Sequence, residues 1–151
     1  MPYEADQSNK IESAGDTALA LSNDEEYTIR IPAREKREAI GVLRWHPKGR
    51  RRIRVYLRLF AVALYYLLRE LPPGELVVID TEYTGHEKEI KNMLLVLLWQ
   101  DDPSFDADNI TFGHIGKKSP AHKKALAVYQ GKAKANRTLT ARDLLLPITG
   151  R

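Results

Sequence analysis

The chain has 151 residues, 43% of them hydrophobic, which is enough for one domain with a buried core. It contains no cysteine, which excludes disulfides and thiolate metal sites, and no apolar run reaches the ~20 residues that a membrane-spanning helix needs. The formal net charge is +4, but residues 1–26 carry −6, so the remainder carries +10. A basic body favours a polyanionic partner. Because no secretory signal pattern opens the chain, we expect a cytoplasmic protein that does not bind membranes.

The first 24 residues are predicted to be a flexible acidic tail. They are rich in Ser, Asn, Asp and Glu and have few large apolar side chains. Such a segment buries too little surface to offset the entropy that is lost on ordering. The predicted organisation is therefore a tail over residues 1–24 and a single folded domain over residues 25–151.

Three strand patterns are predicted at the start of this domain. Residues 27–31 alternate between apolar and polar side chains. Residues 39–45 and 52–56 form the second and third patterns, and the turn signal His-Pro-Lys-Gly at residues 46–49 separates them. The short connections favour an antiparallel meander.

Helices and strands are predicted to alternate in the second half of the domain. The predicted elements are a buried helix over residues 57–71, a strand over 76–79, a helix over 86–99, a strand over 110–115, a helix over 119–130 and a short helix over 140–146. The full order is β-β-β-α-β-α-β-α. It predicts an α/β fold with a five-stranded mixed sheet, in which a three-strand antiparallel meander and two parallel strands are flanked by helices.

This order of elements and two local motifs resemble the ribonuclease H-like superfamily. V-V-I-D-T-E-Y-T-G at residues 77–85 is similar to that family's fourth strand, which ends in a catalytic aspartate, and Asp80 occupies that place. F-G-H-I-G-K-K-S-P-A-H-K-K-A at residues 112–125 is similar to the fifth strand, its loop histidine (His114 here) and the start of the last helix. The resemblance implies a nuclease with Mg²⁺ or Mn²⁺, held by acids from the first strand, the first helix, the fourth strand and the last helix.

Most of those acids are missing from the predicted elements. The strand at residues 27–31 contains none, and the last helix carries Lys123 and Lys124 where the family has its final carboxylate. Only Asp80 remains, with Glu82 two residues further on and therefore on the same strand face.

A metal site formed by Asp80, Glu82 and Glu87 is one interpretation of the acids that follow the fourth strand. The alternative is that Glu87 only stabilises the start of a helix. The same motif is also similar to the first motif of DnaQ-like 3′–5′ exonucleases, whose Asp-x-Glu pair binds both metals. That family places this strand first, whereas 79 residues precede Asp80 here.

Two basic stretches predict a nucleic-acid partner. No acid occurs between Ile110 and Ala141, a span that contains seven lysines and arginines. The candidate contacts in this span are Lys117, Lys118, Ser119, Lys123 and Lys124, of which the first three lead into a helix N-terminus that attracts phosphate. In the other stretch, Arg52, Arg54 and Tyr56 are predicted to share one face of a strand, where they would bind a backbone and stack on a base.

Three functions are open from the sequence. The first is a ribonuclease H-like module that binds RNA, DNA or a hybrid without cleaving it. The second is a divalent-metal nuclease with a site around Asp80, Glu82 and His114. The third is a protein-interaction domain, because a fold does not by itself imply a function.

Overall fold

A six-stranded mixed sheet organises the chain in a computed structural model that describes residues 2–45 and 52–150. The strands are β1 (Tyr3–Ser8), β2 (Thr17–Ser22), β3 (Glu26–Ile31), β4 (Val77–Asp80), β5 (Ile110–Gly113) and β6 (Arg137–Thr138). The helices are α1 (Ala33–Trp45), α2 (Arg52–Leu68), α3 (Glu87–Asp101), α4 (Pro120–Tyr129) and α5 (Ala141–Thr149), with a 3₁₀ helix (Ala107–Asn109) before β5.

The strands lie in the order β5-β4-β1-β2-β3-β6. The first three strands form an antiparallel meander, β4 pairs parallel with β1, and β5 pairs parallel with β4. The two-residue strand β6 adds to the far edge, parallel to β3. Strand β1 is therefore central, and its carboxyl end lies at the same edge of the sheet as those of β4 and β5. In open α/β sheets this edge is where ligands bind.

Both faces of the sheet are covered, since every side chain of β2 is buried. Helix α4 packs on β1, β2 and β3, while α2, which contacts α1, α3 and α5, packs on the other face. The main core is on the α2 side and contains the large side chains of β2, Leu19 and Leu21. Beneath α4 the buried side chains are small, namely Ala18, Ala20, Ala121 and Ala125. Small side chains allow α4 to approach the sheet closely.

The connection between β1 and β2 is held by two side chains from elsewhere in the fold. Lys36 on α1 is only 2% exposed. Its ammonium donates to three oxygens of this connection, the carbonyls of Lys10 (3.3 Å) and Ser13 (2.7 Å) and the hydroxyl of Thr17 (3.0 Å). The Tyr83 hydroxyl accepts a further hydrogen bond from a backbone N–H of the same segment. These contacts fix the end of the central strand.

The prediction of a flexible tail over residues 1–24 is wrong, because β1 and β2 occupy half of this segment. The average composition of residues 1–24 did not indicate these two short strands. Their apolar side chains, among them Tyr3, Leu19 and Leu21, are buried. The prediction of five strands is also wrong, since there are six in the described residues, but the α/β class and the mixed sheet are confirmed.

The strands predicted at residues 39–45 and 52–56 are helical, in α1 and α2 respectively. In α1 the buried residues Lys36, Ala39 and Leu43 recur at three- and four-residue spacing, which places them on one helix face. The turn predicted at residues 46–49 lies outside the described residues. No helix in the described parts of the chain is long and apolar enough to cross a bilayer.

Candidate metal centre

Three carboxylates meet at the carboxyl edge of the central parallel strands. Asp6 lies on β1, Asp80 ends β4 and Glu82 follows two residues later; one oxygen from each lies within 4.8 Å of the others. The pairing of Ala5 with Ile79 brings positions 6 and 80 side by side. The Asp6 side chain is only 4% exposed, so this carboxylate centre (Asp6, Asp80 and Glu82) extends into the protein interior.

Hydrogen bonds hold two of the carboxylates in place. Asp6 accepts the N–H of Gln7 at 2.8 Å through one oxygen, and the other oxygen lies 2.9 Å from Nδ1 of His122 on α4. Asp80 accepts the N–H of Ile115, in the loop between β5 and α4, at 3.0 Å. The centre is therefore oriented by groups from both the loop and the helix that cover it.

The close approach of the three carboxylates affects the protonation of Glu82. Burial, followed by the hydrogen bonds and negative charges of Asp80 and Asp6, raises the pKa of Glu82 to about 9. Desolvation disfavours the charged carboxylate, and each neighbouring acid disfavours a further negative charge. Near neutral pH Glu82 therefore keeps its proton, and a bound cation would neutralise the charge of the centre in place of that proton.

The start of α4 is anchored directly over β1. Ser119 caps the helix by accepting the N–H of Ala121 at 3.2 Å, and its hydroxyl donates to the Glu4 carboxylate at 2.7 Å. Glu4 and Asp6 are two residues apart on β1 and so share a face of the sheet. The anchored first turn, together with the small side chains beneath it, places His122 within reach of Asp6.

Oxygen ligands from carboxylates, with an imidazole nearby, form a donor set that suits Mg²⁺ or Mn²⁺. Asp6, Asp80 and Glu82 would hold the ion. Through its contact with Asp6, His122 would orient that ligand in the way that outer groups orient metal ligands generally.

The structure brings together only part of the predicted metal site. Asp80 and Glu82 lie in the carboxylate centre, whereas Glu87 is the first residue of α3 and is not a member of it. One oxygen of Glu87 is buried without a hydrogen-bond partner among the described residues. His114 is exposed in the loop after β5, one residue before the N–H that binds Asp80.

The predicted nucleic-acid contacts occupy several different surfaces. Lys117 and Lys118 are exposed in the loop before α4, and Lys123 is exposed on α4 itself, where Lys124 is half-buried. Ser119, by contrast, is buried, and its hydroxyl is already engaged by Glu4 and the helix.

The stretch at residues 52–56 does not present its three candidate side chains on one face. It is the first turn and a half of α2, where residues four apart share a face. Arg52 and Tyr56 therefore lie together, while Arg54 points elsewhere. Both arginines are exposed and the tyrosine is half-buried.

Two residues of the site, Asp6 and His122, are not identified by the sequence analysis. Asp6 was missed because its segment was interpreted as a tail. The signal that could have found it is the apolar run over residues 18–21, which has a turn-forming Ser-Asn-Asp sequence after it. His122 lies within the second motif, where the adjacent Lys123 and Lys124 indicated a phosphate-binding surface.

No protein-family model matches the chain, and no curated protein matches it in sequence.

Proposed function

We propose that this protein is a divalent-metal-dependent nuclease with the carboxylate centre as its active site. The observation that carries the proposal is the convergence of Asp6, Asp80 and Glu82 around a common point, with Asp6 almost excluded from solvent. Gathering carboxylates in a poorly solvated place is costly unless a cation compensates for them.

The resemblance to the ribonuclease H-like superfamily supports the proposal more strongly once the strands are located. That family requires an acid on its first strand, one at the end of its fourth strand and a group from its last helix. Asp6 on β1 and Asp80 on β4 match the first two positions, and His122 on α4 lies where the third is expected. The acid of the first helix has no counterpart in the cluster among the described residues, and Glu82 stands in the centre instead.

The proposed reaction is hydrolysis of a phosphodiester bond. A bound divalent ion would supply an activated water and would neutralise the charge that develops on the phosphate. A water oxygen would form a bond to phosphorus as the bond from phosphorus to the leaving oxygen breaks; the water would release a proton to solvent, and the leaving oxygen would gain one. Asp6, Asp80 and Glu82 would hold the ion, His122 would orient Asp6, and the exposed His114 would donate the proton to the leaving oxygen.

A nucleic acid is the substrate that best fits the surface around the centre. Lys117 and Lys118 are exposed in the loop that also delivers the backbone contact to Asp80, and neither forms an ion pair with a described residue. Cations next to a carboxylate centre attract the phosphate chain and allow it to approach the acids.

A cleavage assay tests the proposal directly. The protein would be incubated with labelled single-stranded, duplex and hybrid oligonucleotides in Mg²⁺, Mn²⁺ or EDTA, and the products separated on a denaturing gel. We expect cleavage only with metal and a loss of at least about 100-fold in Asp6→Asn and in Asp80→Asn. The control is Glu38→Gln, a change to an exposed acid on α1.

Two outcomes would contradict nuclease activity and favour another function. Salt-sensitive binding without cleavage would favour the non-catalytic binding module. The observation that supports this module is that His122 stands on α4 where the family has its final carboxylate. Neither binding nor cleavage would favour the protein-interaction domain.

A further inference from the structure

A groove of about 740 Å³ lies at the end of α4, outside the carboxylate centre. It is lined by the last turn of α4, the segment that follows it and one side of the meander. The charged and aromatic residues that line it are Asp16, Arg30, Tyr129, Lys132 and Lys134.

The groove has excess positive charge. Arg30 donates to Asp16 at 2.8 Å, so these two charges compensate each other. Burial opposes ionisation of Asp16, but the N–H of Ala33 and the Arg30 guanidinium outweigh it, and the pKa of Asp16 is lowered. Lys132 and Lys134 are exposed and form no ion pair with any residue that the structure describes. The two lysines therefore remain available to an anion.

The backbone that carries these lysines is well defined. Gly131 ends α4 with a φ of 77°, a left-handed conformation that favours glycine. The N–H of Lys132 then donates to the carbonyl of Ala127 at 2.8 Å, which closes the turn. The lysine side chains thus project from a fixed point at the helix end.

Helix α4 links the groove to the carboxylate centre. His122 in its first turn contacts Asp6, and Tyr129 at its last residue lines the groove. The seven residue steps from His122 to Tyr129 span about 10 Å along the helix axis. This distance corresponds to about three base steps along one strand of a duplex.

We propose that this groove binds the phosphate backbone of a nucleic-acid strand about three nucleotides from the bond at the carboxylate centre. The inference rests on the proposed function and names the path that its substrate follows. Lys132 and Lys134 contact phosphates, and Tyr129, 40% exposed at the groove wall, stacks on a base.

Binding measured without cleavage tests this path. Affinities of the full chain for fluorescent single strands of about 2 to about 16 nucleotides would be measured in EDTA between about 50 and 200 mM salt. Each lysine that contacts a phosphate should contribute about 0.7 to the slope of log affinity against log salt. We therefore expect the slope to fall by about 1.4 in Lys132→Ala/Lys134→Ala with the longer strands.

Controls separate the groove from general charge effects. Lys88→Ala removes an exposed lysine from α3, on the other face of the sheet, and should leave the slope unchanged. The single variants Lys132→Ala and Lys134→Ala should each lower the slope by about 0.7. With strands too short to reach from centre to groove, wild type and double variant should bind equally. An unchanged slope in the double variant with long strands overturns the inference, as does an equal dependence on the two lysines for the shortest strand, of about two nucleotides.

The outcome also distinguishes this inference from the proposed function. Metal-dependent cleavage with an unchanged slope in the double variant would overturn the groove alone. A reduced slope in a protein that cleaves no strand with either metal would support the groove and refute the nuclease. Absence of any binding by the wild type would overturn the groove as well.

Discussion

Replacing Glu82 with glutamine is expected to stabilise the metal-free protein at alkaline pH. The raised pKa of Glu82, about 9 against an ordinary value of 4.5, means that the folded protein keeps a proton that the unfolded chain releases. Between these two values the native state binds more protons than the unfolded state, so stability falls as pH rises through this window. Glutamine removes the titration but retains the shape of the side chain.

The magnitude follows from the width of the window. A rise from about pH 5 to about pH 8 would cost at most about 4 kcal/mol for a fully shifted group, at about 1.4 kcal/mol for each pH unit. Glu82 is only partly buried, so solvent screening reduces the effect to about 2 kcal/mol. For a domain of this size that is a difference in Tm of about 4–8 °C.

Thermal unfolding of wild type and Glu82→Gln in EDTA at both pH values measures this effect. For each protein, the change in Tm between the two pH values is measured. Subtracting one change from the other cancels the contributions of the other titrating groups. Glu38→Gln, at an exposed position of α1, serves as the control. Equal changes in Tm for wild type and Glu82→Gln would refute the conclusion that the neighbouring carboxylates and burial raise the pKa of Glu82. Adding Mn²⁺ at the higher pH should raise the Tm of wild type far more than that of the variant.

Three further predictions concern the scaffold of the site. Lys36→Met should lower the free energy of unfolding by about 1–3 kcal/mol in urea melts, because it removes the ammonium that donates to oxygens of Lys10, Ser13 and Thr17; a stability equal to wild type would contradict a holding role for the ammonium. Leu19→Ala, at a position with no exposure, should cost about 2–5 kcal/mol in the same measurement, and a cost below that range would mean that the core collapses around the deletion. Thr140→Ala should cost about 1 kcal/mol, because it breaks the reciprocal cap between Thr140 and Asp143 at the start of α5, whereas Thr140→Ser should retain most of it.

The second half of the fold could be predicted from the sequence because its elements are long or sharply bounded. Helices α3 and α4, and strands β4 and β5, follow from apolar spacing and from the Ser119 cap. The first half could not, because α1 contains glycine and β-branched residues that resemble a strand over residues 39–45. Strand β6 has two residues and one parallel neighbour, so only tertiary pairing defines it.

Only the part of the candidate site that follows β4 could be predicted from the sequence. Asp80 and Glu82 stand in a conspicuous apolar-to-acidic sequence at the end of a buried strand. Asp6 belongs to a short strand with four polar residues among its six, and it is buried because His122 and a backbone N–H satisfy its carboxylate. Local sequence patterns do not reveal such compensation, since the partners are distant along the chain.

The position of β1 at the centre of the sheet has a consequence for the order of folding. Its antiparallel neighbour β2 is close in sequence, whereas its parallel neighbour β4 begins some seventy residues later, with Tyr3 opposite Val77. Loop-closure entropy makes the distant pairing slower than the local hairpin. The contact between Asp6 and His122 spans 116 residues and must form later still. We therefore expect the meander to form before the carboxylate centre is assembled.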